Sequence, residues 1–301
     1  MYHGMINVYK EKGFTSHDVV AKLRGICKQK RIGHTGTLDP DAVGVLPVCL
    51  GCATRLCDML TDKDKEYVAV LRLGITTDTQ DVTGKVLSEK TVTVSAQQVR
   101  EVISSFEGEQ LQIPPMYSAL KVNGKKLYEL AREGKEIERK ARPITVHKIE
   151  VLSEDMPEFT IRVNCSKGTY IRTICHDIGQ KLSCGAAMVS LKRTRVGNFA
   201  IEDAYTLSQI ENLAKEGKLS EILLPVERAF EKLPEITVKE EAMKALLNGN
   251  QLGKEEFMNL SEEAFKAKEV RVYGYDGRFY GVYGYQQGRK LFCPIKMFFP
   301  E

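Results

Sequence analysis

The chain has 301 residues, of which 43% are hydrophobic and 28% charged, with a net charge of +4. That balance excludes a disordered or low-complexity chain and leaves room for one large domain or two. The mild basicity excludes a uniformly cationic nucleic-acid wrapper, so any anionic partner has to be met by local patches.

Met1 to Asn7 contains no basic region followed by a long apolar run. No apolar stretch approaches the ~20 residues that cross a bilayer, so a cytoplasmic protein without a membrane partner is expected. Asn7 to Tyr9 reads as a short strand, Gly13 turns the chain, and Ser16 is expected to cap a helix carrying Val19, Val20 and Leu23. Between Lys22 and Arg31 stand five cations and no acid. They form either a solvated face or a phosphate-contacting run.

Residues 31–47 hold Gly33, Gly36 and Gly44 with Pro40 and Pro47, which argues for an ordered loop rather than a long helix or a central strand. Within it, Asp39 stands between Leu38 and Pro40. It is either a stiffly held carboxylate suited to catalysis or the cap of a short helix with Pro40 in its first position. His34 alone reads as a turn residue. The eight cysteines fit a reducing compartment. Cys49 and Cys52 form a CxxC with Cys57 nearby, but no second pair stands at zinc spacing, so buried thiols are expected.

Tyr67 opens a strand in which Ala69, Leu71 and Leu73 alternate with Val68, Val70 and Arg72. Asp78-Thr79-Gln80-Asp81 reads as a turn with capping acids. A capping box at Ser95 to Gln98 starts a helix through Val99, Ile103 and Phe106. Pro114-Pro115 stiffens the next segment, Asn123-Gly124 signals a hairpin turn, and a helix through Leu127 and Leu130 stops at Gly134. From Lys121 to Lys148 there are nine lysines and arginines against four glutamates, which makes either a surface for an anionic partner or an exposed charged insertion. Phe159 to Cys165 alternates as a strand, and Ile171, Ile174, Cys175 and Ile178 follow helical spacing. Tyr170 and Arg172 flank that helix start. Arg172 is either a surface cation or the bidentate partner of a carboxylate. Thr206 to Gln209 caps a further helix. The composition changes after Pro225, and residues 233–301 read as a small β domain with one helix near Glu240 to Leu247.

Taken together, Gly33-His34-Thr35-Gly36-Thr37-Leu38-Asp39-Pro40 with Ala42, Gly44 and Leu46-Pro47 resembles the catalytic loop of the TruB family of tRNA pseudouridine synthases. Further segments agree in order: Lys10 to Ser16, Tyr67 with Leu73-Gly74 and Thr77 to Thr79, Pro114 to Lys121, Gly168 to Arg172, and Leu191 to Thr194. Glu11 stands where the family commonly has proline, and Asp41 and Val43 where leucine and threonine are common.

The resemblance implies an α/β (α+β) fold with a mixed, largely antiparallel sheet flanked by helices. It implies a catalytic domain over 1–232 with a basic RNA-binding insertion at about 108–148, and a β-rich, PUA-like RNA-binding domain over 233–301. The implied activity is isomerisation of uridine 55 in the T-loop of tRNA by base flipping and C–N to C–C rearrangement, without cofactor or metal. The implied partner is the tRNA T-arm, met by a stand-alone monomer rather than by the family's guide-RNA-dependent branch. By the same resemblance Asp39 is the essential carboxylate, Arg172 keeps it ionised and aimed, and Tyr67 lies against the flipped base. Tyr170 packs near Asp39, Leu191 is an apolar wall, and His34 fills the gap left by the uridine. Lys10, Lys121 and Arg193 are expected to bind substrate.

Overall fold

In the computed structural model, which describes residues 1–122 and 124–299, the chain opens with β1 (Gly4–Lys10), α1 (Ser16–Ile26), β2 (Ile32–His34) and β3 (Val43–Leu50). A short helix, α2 (Cys57–Thr61), leads into β4 (Lys65–Leu73). Its alternation buries Tyr67, Ala69, Leu71 and Leu73 on one face, as the period of two requires. Next come the hairpin of β5 (Ile75–Thr77) and β6 (Val86–Glu89), then α3 (Ala96–Ser104) and β7 (Gly108–Gln112). Residues 113–141 form an excursion that carries β8 (Lys121–Val122), β9 (Lys125–Lys126) and α4 (Leu127–Arg132). The turn expected at Asn123-Gly124 falls partly on Asn123, outside the described residues. The chain returns as β10 (Arg142–Asp155) and β11 (Glu158–Cys165), followed by α5 (Ile171–Lys181), β12 (Ala186–Val196), β13 (Phe199–Ala200) and α6 (Leu207–Lys215).

Nine of these strands make one mixed sheet in the order β1-β3-β12-β4-β11-β10-β7, with β2 beside β3 and β13 beside β12. All its described pairings are antiparallel except β3 with β12. Val99, Ile103, Ile174 and Ile178 of α3 and α5 pack with Leu71, Ile161 and Val163 of the sheet. Val19 and Leu23 of α1 and Ile210 of α6 pack with Ile6, Val8, Leu46 and Val48 in a second cluster. Each such fully buried side chain contributes roughly 1.5–3 kcal/mol.

Two local expectations change. The cap of α1 is Thr15, whose hydroxyl accepts from the Asp18 amide at 3.1 Å while the Asp18 carboxylate accepts from the Thr15 amide at 2.8 Å. The Ser16 hydroxyl is occupied elsewhere, accepting from the Leu38 amide at 2.9 Å. The expected loop over 31–47 gives way to strand at both ends, because Gly44 to Leu50 pairs with β1 and Ile32 to His34 pairs with Val48 to Leu50. Pro47 is tolerated where β3 changes neighbour on its other side, from β12 at Gly44 to β2 at Val48.

Beyond Pro234 a second sheet contains β14 (Glu235–Val238), α7 (Met243–Leu247) leading to β15 (Leu252–Gly253), β16 (Phe257–Asn259), α8 (Glu262–Lys266) leading to β17 (Val270–Tyr273), β18 (Phe279–Gln286) and β19 (Leu291–Met297). Its strand order is β15-β19-β18-β17-β14-β16, around Ile236, Val272, Tyr283 and Phe292. This β-rich unit has its own sheet but shares a core with the first. Phe230 lies 5.9 Å from Phe279 and 5.8 Å from Phe298, ring centre to ring centre, and Arg55 donates to the Met297 carbonyl at 2.9 Å. Among the described residues no helix is long and apolar enough to cross a membrane.

Gly44 sits where β3 meets β12, with φ +110°, and a Cβ there would lie 2.2 Å from the Arg193 carbonyl oxygen. Only glycine permits that approach. Gly44→Ala should therefore cost at least about 2 kcal/mol, read as a fall in the urea midpoint, whereas Gly13→Ala, with open space at its Cβ, should cost less.

Candidate active site

The segment holding Asp39 is pinned from three sides. The Thr35 amide donates to the Pro47 carbonyl at 3.1 Å, Gly13 donates to the Pro40 carbonyl at 3.0 Å, and Ser16 holds Leu38. Underneath, the Lys10 ammonium donates to the carbonyls of Glu11 at 3.1 Å, Pro40 at 3.0 Å and Ala42 at 2.6 Å. No helix follows Asp39. Its carbonyl instead closes a turn by accepting from the Ala42 amide at 3.1 Å, so the capping alternative falls and the carboxyl is free for another partner.

Lys10 was expected to touch substrate, and the structure corrects this. Its side chain is fully buried, and burial pushes its ammonium down to about 8 against the opposing pull of Asp39 and Asp41. Lys10 braces the loop from inside.

The partner of Asp39 is Arg172, buried in the first turn of α5. Its Nε donates to Asp39 Oδ2 at 3.1 Å and its Nη2 lies 3.4 Å from Oδ1, the bidentate arrangement of a guanidinium on a carboxylate. The same side chain donates to the carbonyls of Thr79 at 3.1 Å and Tyr117 at 2.8 Å, and its Nη1 lies 3.5 Å from Asp81 Oδ2. Arg172 thus has two carboxylates and two carbonyls around it. The Asp39 side chain remains 42% exposed, yet enclosure of the carboxyl raises its pKa, with Arg172 opposing and Asp81 reinforcing the rise. Arg172 is thus paired with Asp39, while the net direction is toward the neutral acid rather than toward firmer ionisation.

Asp81 is the residue that sequence reasoning passed over as a capping acid. Its carboxylate does accept from the Thr83 amide at 3.0 Å and the Thr79 hydroxyl at 2.8 Å, as a turn acid should. Its second role depends on the turn being strapped to β12, where Val82 donates to the Met188 carbonyl at 2.9 Å and Met188 to that of Gln80 at 3.0 Å. That strap joins residues more than a hundred positions apart, and no local pattern announces it.

Tyr170 is the residue at which α5 begins. The buried Gln112 amide clamps its backbone, accepting from the Tyr170 N–H at 2.8 Å and donating to its carbonyl at 3.1 Å. Burial raises the Tyr170 hydroxyl, and the charges of both Arg172 and Asp39 reach it. Tyr67 is buried opposite Arg193 on β12, and its hydroxyl, raised by burial, feels Asp39 as well. Leu191 and Leu38 share a cluster with Tyr67.

Arg193 is a second corrected expectation. It is 1% exposed, donates to the Val45 carbonyl at 2.8 Å and to that of Gly36 at 3.2 Å, and holds the loop rather than meeting a substrate. Lys121 is the opposite case, exposed on the excursion and outside the cluster. The excursion is nonetheless tied to the site, since Tyr117 of the same segment accepts from Arg172.

His34 closes β2. Its Nδ1 accepts from the Gly36 amide at 3.3 Å, and its ring stands edge-on to His17 at 5.6 Å. Burial first, then the neighbouring His17 and Arg193, push its pKa from 6.5 down to about 4, so the imidazole is neutral at pH 7. A histidine with a lowered folded pKa binds protons more readily in the unfolded chain, so stability falls as pH drops from about 6.5 through about 4. Urea denaturation should show a smaller loss between pH 7 and pH 4.5 for His34→Gln than for the native chain. Equal losses would remove His34 from that window.

The chain is similar to known proteins over nearly its whole length. Residues 24–171 match the N-terminal domain of TruB family pseudouridylate synthase, and residues 172–231 match the C-terminal domain of tRNA pseudouridylate synthase B. The chain is 53% identical to tRNA pseudouridine synthase B of Lachnoclostridium phytofermentans, covering 98% of this chain and 99% of that protein. It is 46% identical to the protein of the same name from Clostridium kluyveri, over 93% of this chain and 94% of that one. Among solved structures it resembles a chain of a Cbf5-Nop10-Gar1 complex at 30% identity and a TM-score of 0.76, covering 99% of this chain and 85% of that chain. A chain of an H/ACA RNP bound to a substrate RNA containing 2'-deoxyuridine aligns with a TM-score of 0.73 at 28% identity, covering 99% and 86%. The seam between the two matched stretches falls between Ile171 and Arg172, inside α5. On that span of similarity, this chain belongs to the TruB family of pseudouridylate synthases.

Proposed function

We propose that the chain is a stand-alone tRNA pseudouridine synthase that isomerises uridine 55 in the T-loop, with Asp39 at the centre of the reaction. The observation that carries this reading is the partly exposed Asp39 carboxyl, fixed by Arg172 and adjoining Leu38, which shares a buried cluster with Tyr67 and Leu191. Relatives that match nearly the whole chain are named tRNA pseudouridine synthase B, which supports tRNA as the substrate.

The chemistry breaks the C1′–N1 bond, turns the base and joins C1′ to C5, with no change in oxidation state and so no demand for a cofactor. It requires the uridine to leave its stack. Leu191 would form an apolar wall for the extruded base and the Tyr67 ring its stacking face. The neutral imidazole of His34 would occupy the gap without adding charge. Asp39 would act at the sugar or the base, held within reach by Arg172. The Tyr67 hydroxyl would assist the final removal of the C5 proton. Tyr170, its backbone clamped by Gln112, would pack beside Asp39.

RNA would be gripped by the exposed lysines of the excursion, including Lys121 and Lys140, and by Lys22, Arg24, Lys28 and Lys30 around α1. A folded T-arm would be read by shape and splayed bases. In this reading residues 1–232 form the catalytic domain with its insertion at 108–148, and residues 233–301 add a PUA-like RNA-binding surface. The excursion favours a monomer that needs no guide RNA or partner protein, working in the cytoplasm.

Incubating the purified chain with an unmodified tRNA transcript and mapping pseudouridine by carbodiimide-primed extension stops tests the assignment. Pseudouridine at position 55 is expected for the native chain, and none for Asp39→Asn with tRNA affinity within about threefold. Modification elsewhere, or only after a guide RNA is added, would overturn it. Separately, Lys121→Ala and Lys140→Ala together should lower the slope of log affinity against log salt by up to about two without changing the position modified.

A further inference from the structure

Arg193 is a buried cation with no carboxylate in reach among the described residues, although buried charges ordinarily require an ion partner. Its Nε and Nη2 are satisfied by the Val45 and Gly36 carbonyls, at 2.8 and 3.2 Å. The group it faces is the Tyr67 hydroxyl, and the two residues stand directly opposite each other across β12 and β4, where side chains on one face meet. On its other flank Arg193 pairs with Gly44 of β3, so one side chain bridges the loop carrying Asp39 and the strand carrying Tyr67. Among the described residues, the Tyr67 phenol is the group facing this cation that can itself become an anion.

We propose that Arg193 is a positioning residue for the reaction, holding the Tyr67 oxygen in place and stabilising its phenolate form as the base that removes the C5 proton. This rests on the function proposed above. In the step itself the phenolate oxygen takes the proton from C5. The C–H electron pair becomes the C5–C6 double bond, the N1–C6 π pair moves to N1, and N1 takes a proton from water. The resulting phenol returns its proton to water before the next turnover. The step is a tautomerisation with no net change in protons or electrons. A guanidinium fits the task because it stays charged when buried and leaves Tyr67 no competing carboxylate.

The test places trifluorotyrosine at position 67 and reads its titration by fluorine NMR in the native background, in Arg193→Lys and in Arg193→Gln. The same probe at Tyr283 serves as a buried phenol without a cation, one that burial pushes up to about 12 with tyrosine in place. Position 67 should titrate at least about one pH unit below position 283 in the native chain. It should stay near its native midpoint in Arg193→Lys and rise by about one unit or more in Arg193→Gln. If the glutamine variant fails to fold, the comparison of positions 67 and 283 decides alone. A midpoint at position 67 equal to or above that at 283, or unchanged in Arg193→Gln, would overturn the proposal. Tritium release from C5-labelled uridine, run on the native chain, tests the proposed function independently. Titrations as described without tritium release would count against the function rather than the Arg193–Tyr67 coupling.

Discussion

One guanidinium holds the site together. Arg172 binds the loop through Asp39, the turn after β5 through Thr79 and Asp81, and the excursion through the Tyr117 carbonyl, while being rooted in α5. These four segments are separated by roughly 40 to 130 residues in sequence, so their meeting is a product of sheet order rather than of local structure. A buried cation that lost any one partner would leave desolvated charge behind, which makes the arrangement closer to all-or-none than a sum of pairwise contacts.

Two further buried cations work from the other side of the loop. Lys10 holds three carbonyls beneath Asp39, and Arg193 holds two more while facing Tyr67. The interior beneath the site is therefore rich in positive charge, and a carboxyl raised by enclosure sits above it. The excursion, by contrast, leaves β7 and returns as β10, and it reaches the site through the Tyr117 carbonyl. A stiff centre with a tethered arm suits an enzyme that must accept a folded RNA before reshaping one nucleotide.

Much of this was legible in the sequence where one physical signal dominated. The alternation from Tyr67 to Leu73, the capping boxes at Ser95 and Thr206, and the helix begun beside Tyr170 all formed as the patterns require. The carboxylate–guanidinium pairing of Asp39 with Arg172 was legible only as one of two alternatives, and the family resemblance weighted it. What stayed hidden depended on distant pairing. Lys10 and Arg193 looked like substrate contacts because a cation's burial is set by neighbours far along the chain. Asp81 looked like a turn acid because its hydrogen bonds to Thr79 and Thr83 satisfy that reading locally. Ser16 lost its expected capping role to Thr15 because Leu38 needed a partner.

Single-turnover tritium release from a C5-labelled T-arm transcript, compared between the native chain and Arg172→Lys, reads the role of this guanidinium most directly. Lysine keeps the charge but cannot span Asp39, Asp81 and two carbonyls at once. The expected result is a rate lower by about a hundredfold or more with T-arm affinity unchanged, as loss of aim alone produces. A lysine variant that turns over at the native rate would contradict the account.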